Sequence, residues 1–351
     1  MKAFVKFGSE PYEAELRELP MPEPGDGEVL LKVSAAGICG SDLHAYRASP
    51  EYRWVRPPVI LGHEFSGTVV GLGPGADRFR SGDRVVVIGI QGCGQCRVCR
   101  DGRTHLCEGR RVIGLDMNGG MAEWAVVNQN HLIAIPDGLD LATAALIEPF
   151  SVAVHGLSKV DILPEQTVVV SGPGPIGLLA AAIARLRGAR VAVIGTGTDS
   201  DVRLPAAGKM GMATVNLDRE SLDSALRTIF GGRPVDLWVE ASGSSGAFKA
   251  AVGLIRRGGS MVVIGMYAHE FAWIPTPSVR AEHSLFFSYA SADRDYRFAL
   301  DVMAGGILDL EPLVSHFPLD RAGEAFRAAE VGAVVKAILL PDTKTVRRND
   351  P

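Results

Sequence analysis

The chain of 351 residues carries 36 Lys and Arg against 40 Asp and Glu, a formal charge of −4. With 47% hydrophobic and 22% charged residues, it is neither a disordered chain nor a general electrostatic binder of nucleic acid. No run approaches the ~20 uncharged apolar residues that span a bilayer, Met1–Lys6 has no apolar leader core, and the length predicts about two domains.

The first part reads as short strands: Ala3–Phe7, Glu28–Ala35, Glu64–Gly71, Asp83–Ile88 and Met121–Val127 are apolar or alternating. Gly and Pro clusters at 22–27 and 71–75 punctuate them, which predicts a β-rich, partly barrel-like domain. Beyond about residue 150 strands alternate with helices. Thr167–Ser171 is a buried-strand run, an apolar helix follows through Leu186, and Arg190–Ile194, Val235–Glu240 and Ser260–Gly265 continue a parallel sheet. The tail predicts helices at Asp295–Ala304 and Arg321–Glu330, a strand Val335–Leu340 and a frayed end including Arg347–Pro351.

Five cysteines are an odd set, and four of them lie in one loop as Cys93-x-x-Cys96-x-x-Cys99-x7-Cys107. A disulfide framework suits a short secreted chain, so a reducing cytoplasm and metal-bound thiolates fit better. Four thiolates close a tetrahedral zinc site with no open position. An iron–sulfur cluster uses similar spacing. Cys39, in Gly37-Ile38-Cys39-Gly40-Ser41-Asp42-Leu43-His44, precedes Gly62-His63-Glu64 and, much later, Ile147-Glu148-Pro149. Cys39, His63 and one or both of Glu64 and Glu148 could hold a second zinc with a position open to water or substrate. Asp42 suits the orientation of His63 through its other ring nitrogen. Taken singly, Cys39 reads as a buried small residue, His63 as a turn histidine and Glu148 as a helix-start acid.

After Thr167–Ser171 comes Gly172-Pro173-Gly174-Pro175-Ile176-Gly177. This is G-x-G-x-x-G between a strand and a helix, the context in which it binds a pyrophosphate at the helix N-terminus. The alternative is a purely structural turn. The acid that binds an NAD ribose is expected about 20 residues on, where Thr196-Gly197 stands. Arg203 could pair with a 2′-phosphate, whereas Asp199 could reach a ribose, so NAD and NADP both stay open.

Together, Gly37–His44, Gly62–Gly67, Cys93–Cys107 and Gly172–Gly177 resemble the zinc-dependent medium-chain alcohol dehydrogenase superfamily over essentially the whole chain. Glu148-Pro149-Phe150-Ser151-Val152-Ala153-Val154-His155 resembles its polyol (sorbitol) and threonine dehydrogenase branch. The resemblance implies an α/β fold. A GroES-like β-rich catalytic domain (1–150 and 288–351) would accompany a Rossmann domain (151–287), with the active cleft between them. It implies two Zn(2+) per chain, NAD or NADP, a homodimer or homotetramer, and a small-molecule alcohol or ketone substrate. Cys39, His63, Glu64 and Glu148 match the catalytic zinc environment, and Ser41 and His44 match the proton relay. Sorbitol dehydrogenases carry an arginine where Ser288 stands, which counts against sorbitol itself. The implied substrates are a polyol, sugar or cyclitol, with threonine or 2,3-butanediol as alternatives. A non-catalytic zinc-stabilised NAD(P)-binding protein is the reading from another class.

Overall fold

Alternating apolar residues give the N-terminal part its antiparallel strands. β1 (Lys2–Lys6) pairs with β2 (Ala14–Glu18) and with β4 (Val59–Ile60). β3 (Glu28–Gly37) is the spine of a seven-stranded sheet. It pairs with β5 (Glu64–Leu72), and β6 (Arg84–Val87) and β10 (Leu132–Ala134) extend the sheet on that side. β9 (Trp124–Asn128) also joins β3. A short ribbon of β7 (Ile90–Gln91) and β8 (Arg111–Val112) flanks the cysteine loop. Met121, expected within β9, lies outside it. Its carbonyl accepts from Phe4 and its amide donates to Leu61, so it is committed elsewhere. The computed structural model describes residues 1–341, so the tail Arg347–Pro351 lies outside the described residues.

The middle of the chain builds a parallel sheet in the order β13–β12–β11–β14–β15–β16. Its strands are β11 (Thr167–Ser171), β12 (Arg190–Gly195), β13 (Ala213–Asn216), β14 (Val235–Glu240), β15 (Ile255–Val263) and β16 (Ser284–Phe287). β11 is buried throughout, as a strand covered on both faces must be. The chain winds outward from β11 to β13 and then returns to β14. The topological switch point, where open α/β sheets bind ligands, therefore falls between β11 and β14. β15 begins earlier than its sequence suggests and ends at Val263, because the amides of Ile264 and Gly265 both donate to the Glu240 carbonyl.

The tail supplies helices at Asp293–Ala304 and Ala322–Glu330. It then adds β17 (Val314–Pro318) and β18 (Lys336–Leu340), and β18 pairs antiparallel with β3. Two units result. Unit 1 is Met1–Glu148, Ala292–Ile307 and the chain from Val314, and unit 2 is Pro149–Ser291 with Leu308–Leu313. Phe4, Leu31, Phe65 and Phe326 centre the core of unit 1. Val169, Ile194, Trp238 and Met261 centre that of unit 2. At roughly 1.5–3 kcal/mol per large buried apolar side chain, these clusters dominate the stability of each unit. The fold is α/β: a GroES-like β-rich unit and a Rossmann sheet. Among the described residues no helix is long and apolar enough to cross a membrane.

Candidate metal centres and cofactor turn

β3 delivers Cys39 to the start of α1 (Gly40–Tyr46), where it is the N-cap. The acid at the third helical position closes that cap. Asp42 Oδ2 accepts from the Cys39 amide at 2.8 Å, and Oδ1 accepts from the Gly62 amide at 3.2 Å. One wholly buried carboxylate thus fixes two chain segments, one bearing Cys39 and the other leading to His63. A ligand atom from each of Cys39, His63 and Glu64 lies within 4.8 Å of the other two. Asp42 Oδ1 stands 3.8 Å from His63 Nδ1, near but beyond hydrogen-bond length. Ser41 Oγ is 3.5 Å from His63 Nε2.

Sequence reasoning missed Lys336, on β18. Its ammonium forms a buried ion pair with Glu64 and donates to the Ile38 carbonyl at 2.8 Å. A Cβ on Gly37 would run into the Glu64 carboxylate and lie 3.1 Å from Lys336 Cε, so glycine is required there. The only sequence signal was a lysine inside an otherwise apolar strand. Glu148 lies outside the mutual 4.8 Å set but interacts electrostatically with His63 and Glu64. Burial pushes its carboxyl up to about 7, against the opposing pull of His63. Three buried acids and a thiol thus face one imidazole and one ammonium. A donor set this rich in negative charge, with sulfur, nitrogen and oxygen present, fits a divalent cation such as zinc.

His44, in the last turn of α1, has three neighbours the sequence did not flag. Ser49 Oγ and Glu51 Oε1 each lie 3.1 Å from its Nδ1. The Tyr52 ring stacks on it with centroids 5.0 Å apart and planes 5° from parallel. Burial lowers the pKa of His44, Glu51 opposes that effect and Arg47 adds to it.

Cys93, Cys96, Cys99 and Cys107 form the second group within 4.8 Å. Cys93 is exposed, while Cys99 and Cys107 are buried. Backbone amides of Gln95 and Cys96 hold the Cys93 thiol down to about 6. Burial instead pushes the Cys99 thiol up to about 12, so a bound cation would have to draw the proton from that sulfur to complete a closed four-thiolate zinc site.

In unit 2, Gly172 takes φ +90, and a Cβ there would meet Ser242 at 2.8 Å. A Cβ on Gly177 would run into the Gly172 carbonyl, whereas one on Gly174 would meet nothing. Pro175 occupies the first turn of α2 (Pro175–Leu186), followed by Ile176, so the helix N-terminus opens at Gly174. Asp199 is turned back on its own turn. It accepts from the Thr196 amide at 3.0 Å and pairs with Arg203 at 3.3 Å. Glu240, also missed, ends β14 wholly buried and accepts from the amides of Ser242 and Gly243 at 2.8 and 3.2 Å and from Tyr267 Oη at 2.7 Å. It shapes the loop against which Gly172 packs.

The alcohol dehydrogenase GroES-like domain family matches residues 25–137, and the zinc-binding dehydrogenase family matches residues 175–305. L-galactonate-5-dehydrogenase of Escherichia coli (strain K12) is 34% identical over 92% of this chain and 94% of its own. Sorbitol dehydrogenase of Bacillus subtilis (strain 168) is 34% identical over 94% and 93%. A zinc-binding dehydrogenase from Sinorhizobium meliloti 1021, solved bound to NADP, superposes with a TM-score of 0.88 at 30% identity, covering 97% and 99% of the two chains. The chain belongs to the zinc-binding alcohol dehydrogenase family. It is an NAD(P)-dependent alcohol dehydrogenase.

Proposed function

We propose that the protein transfers a hydride between a secondary alcohol of a polyol, sugar or cyclitol, or the matching ketone, and NAD or NADP. The observation that carries this is the convergence of Cys39, His63 and Glu64 within 4.8 Å, in a buried setting short of positive charge. Cys39 and His63 hold a catalytic zinc with Glu64 or Glu148, and Cys93, Cys96, Cys99 and Cys107 hold a structural one. The catalytic ion supplies Lewis-acid polarisation of the substrate oxygen. Every other contribution comes from the chain. Ser41 Oγ, beside His63 Nε2, takes the hydroxyl proton, and His44 carries it onward to solvent. Gly172, Gly174 and Gly177 open the turn to a pyrophosphate, and the N-terminus of α2 attracts its charge. Thr196, Asp199 and Arg203 border the adenosine ribose, with no acid closing β12. In this reading unit 1 is the catalytic domain and unit 2 the cofactor domain.

The working form is a homo-oligomer in a reducing, cytoplasmic compartment. Supporting the oligomer, the edge strand β16 ends in Phe287, 70% exposed, and Met266, Ile274 and Val279 are exposed elsewhere in unit 2. Such surfaces ask for cover.

The test is a panel pairing NAD and NADP separately with sorbitol, inositol, 2,3-butanediol and threonine, read by absorbance of the reduced nicotinamide. Turnover with a polyol or cyclitol is expected. Turnover with threonine or 2,3-butanediol alone would overturn the substrate class. No turnover at all, with one zinc per chain, would point to a binding protein.

A further inference from the structure

We infer that Glu51 is a positioning residue for proton transfer: its carboxylate fixes the tautomer of His44 with the proton on Nδ1, leaving Nε2 free to accept. This rests on the relay role of His44 proposed above.

Two oxygens stand 3.1 Å from His44 Nδ1: Ser49 Oγ as its hydrogen-bond partner and Glu51 Oε1 as an ion-pair contact. They are not equivalent. A serine hydroxyl either donates or accepts, whereas an ionised carboxylate only accepts. With the hydroxyl alone, Nδ1 can be the acceptor, which places the ring proton on Nε2 and blocks the relay. The carboxylate removes that option. When Nε2 takes a proton, the imidazolium faces a negative charge, which a neutral partner would not provide. The ring then returns that proton to water. His44 is 37% and Glu51 47% exposed, so water is at hand.

The surrounding chain holds this arrangement. Glu51 belongs to the turn Pro50–Tyr52, tied to α1 by the Ser49 amide on the His44 carbonyl at 3.0 Å. Tyr52 lies parallel to the imidazole and is itself stacked on Trp54 at 6.0 Å, so the ring plane is held while the carboxylate sets the proton. The charged groups acting on His44 are Glu51 and Arg47, and Arg47 is itself paired with Glu330 at 3.6 Å. Glu51 is thus the group that favours the protonated ring, against burial and Arg47.

The test is histidine NMR on the zinc-loaded enzyme, resolving both ring nitrogens of His44, in wild type, Glu51→Leu and Ser49→Ala. Glu51 is half exposed on a surface turn, so the fold is expected to survive its replacement. Wild type and Ser49→Ala should carry the proton on Nδ1. Glu51→Leu should move it to Nε2 and shift the titration midpoint to lower pH. With whichever alcohol the panel accepts, Glu51→Leu should slow turnover about tenfold, less than the 10²–10⁴-fold that a positioned proton carrier supplies, because the carrier His44 itself remains. An unchanged tautomer and midpoint in Glu51→Leu would overturn the inference. His44→Asn separates the two readings. Full turnover in that variant at every pH would sink the relay itself. Slowed turnover there, with Glu51→Leu behaving as wild type, would sink only the role of Glu51.

Discussion

Lys336 and Glu64 form an ion pair whose side chains are 2% and 1% exposed, at the edge of the group that gathers Cys39 and His63. The cation comes from β18 and the acid from the start of β5, so a strand near the far end of the chain completes the electrostatics of a motif near its beginning. Removing one partner of such a pair leaves a bare buried charge, at a cost of about 3–5 kcal/mol. Lys336→Met should lose stability on that scale in chemical denaturation of the zinc-loaded protein. Lys336→Arg should recover much of it. A loss below about 1 kcal/mol would mean that Glu64 is neutralised by something else.

Asp42 accepts from the Cys39 and Gly62 amides at once. Asp42→Ala should loosen the spacing of Cys39 and His63 and weaken the catalytic metal by about 10–100-fold, the usual effect of losing an outer-shell partner. Metal competition titration reads this, and the four-thiolate site serves as the internal control.

The cofactor turn separates two roles of glycine. A Cβ on Gly174 meets no protein atom, whereas one on Gly177 strikes the Gly172 carbonyl. Gly174→Ala should keep the melting temperature and raise the Kd for NAD(P) at least about tenfold, or ~1.4 kcal/mol. Gly177→Ala should destabilise unit 2 by about 1–3 kcal/mol. Equal melting temperatures for the two variants would contradict the packing assigned to Gly177.

Acid sensitivity of unit 2 should trace to Asp236. Burial alone would raise its pKa from 3.8, but hydrogen bonds from Arg256 at 2.6 Å and the Thr167 amide at 2.9 Å outweigh that and hold it lower. A depressed carboxylate pKa gives stability that is full above the unfolded value and is lost as pH falls through the folded one. Below about pH 4 the wild type should therefore lose urea resistance more steeply than Asp236→Asn, whereas at neutral pH the wild type should be the more stable of the two. Parallel acid limbs would rule Asp236 out.

Metal removal should expose an order among the four thiols. Cys93 is exposed and Cys107 is 1% exposed. After chelation, iodoacetamide should label Cys93 first, and prior zinc loading should protect it. Uniform labelling would mean that the lobe unfolds without its ion.

The cysteine loop and the glycine turn were legible because each is local: spacing of a few residues decides the chemistry. Cys39 and His63 were legible for a related reason, since glycines mark the turns that present them. Lys336 was not, because nothing near it in sequence announces a site and only the pairing of β18 with β3 brings it to Ile38. Asp199 and Arg203 were read as alternative cofactor contacts, and the structure adds that they pair with each other. Sequence lists charges and cannot say which of them neutralise one another. The late start assigned to β15 has a similar cause: Arg256 to Gly259 include no apolar residue, yet their backbone continues the strand.

The position of Lys336 also sets an order of events in synthesis. A nascent chain that has reached β10 already holds Cys39, His63, Glu64 and all four loop thiols. It still lacks the ammonium beside Glu64 and the edge that β18 adds to β3. The structural lobe can therefore take its ion while translation continues. The other centre lacks its counter-charge until β18 is made, so a product that ends before Lys336 would leave the Glu64 carboxylate without its ion pair.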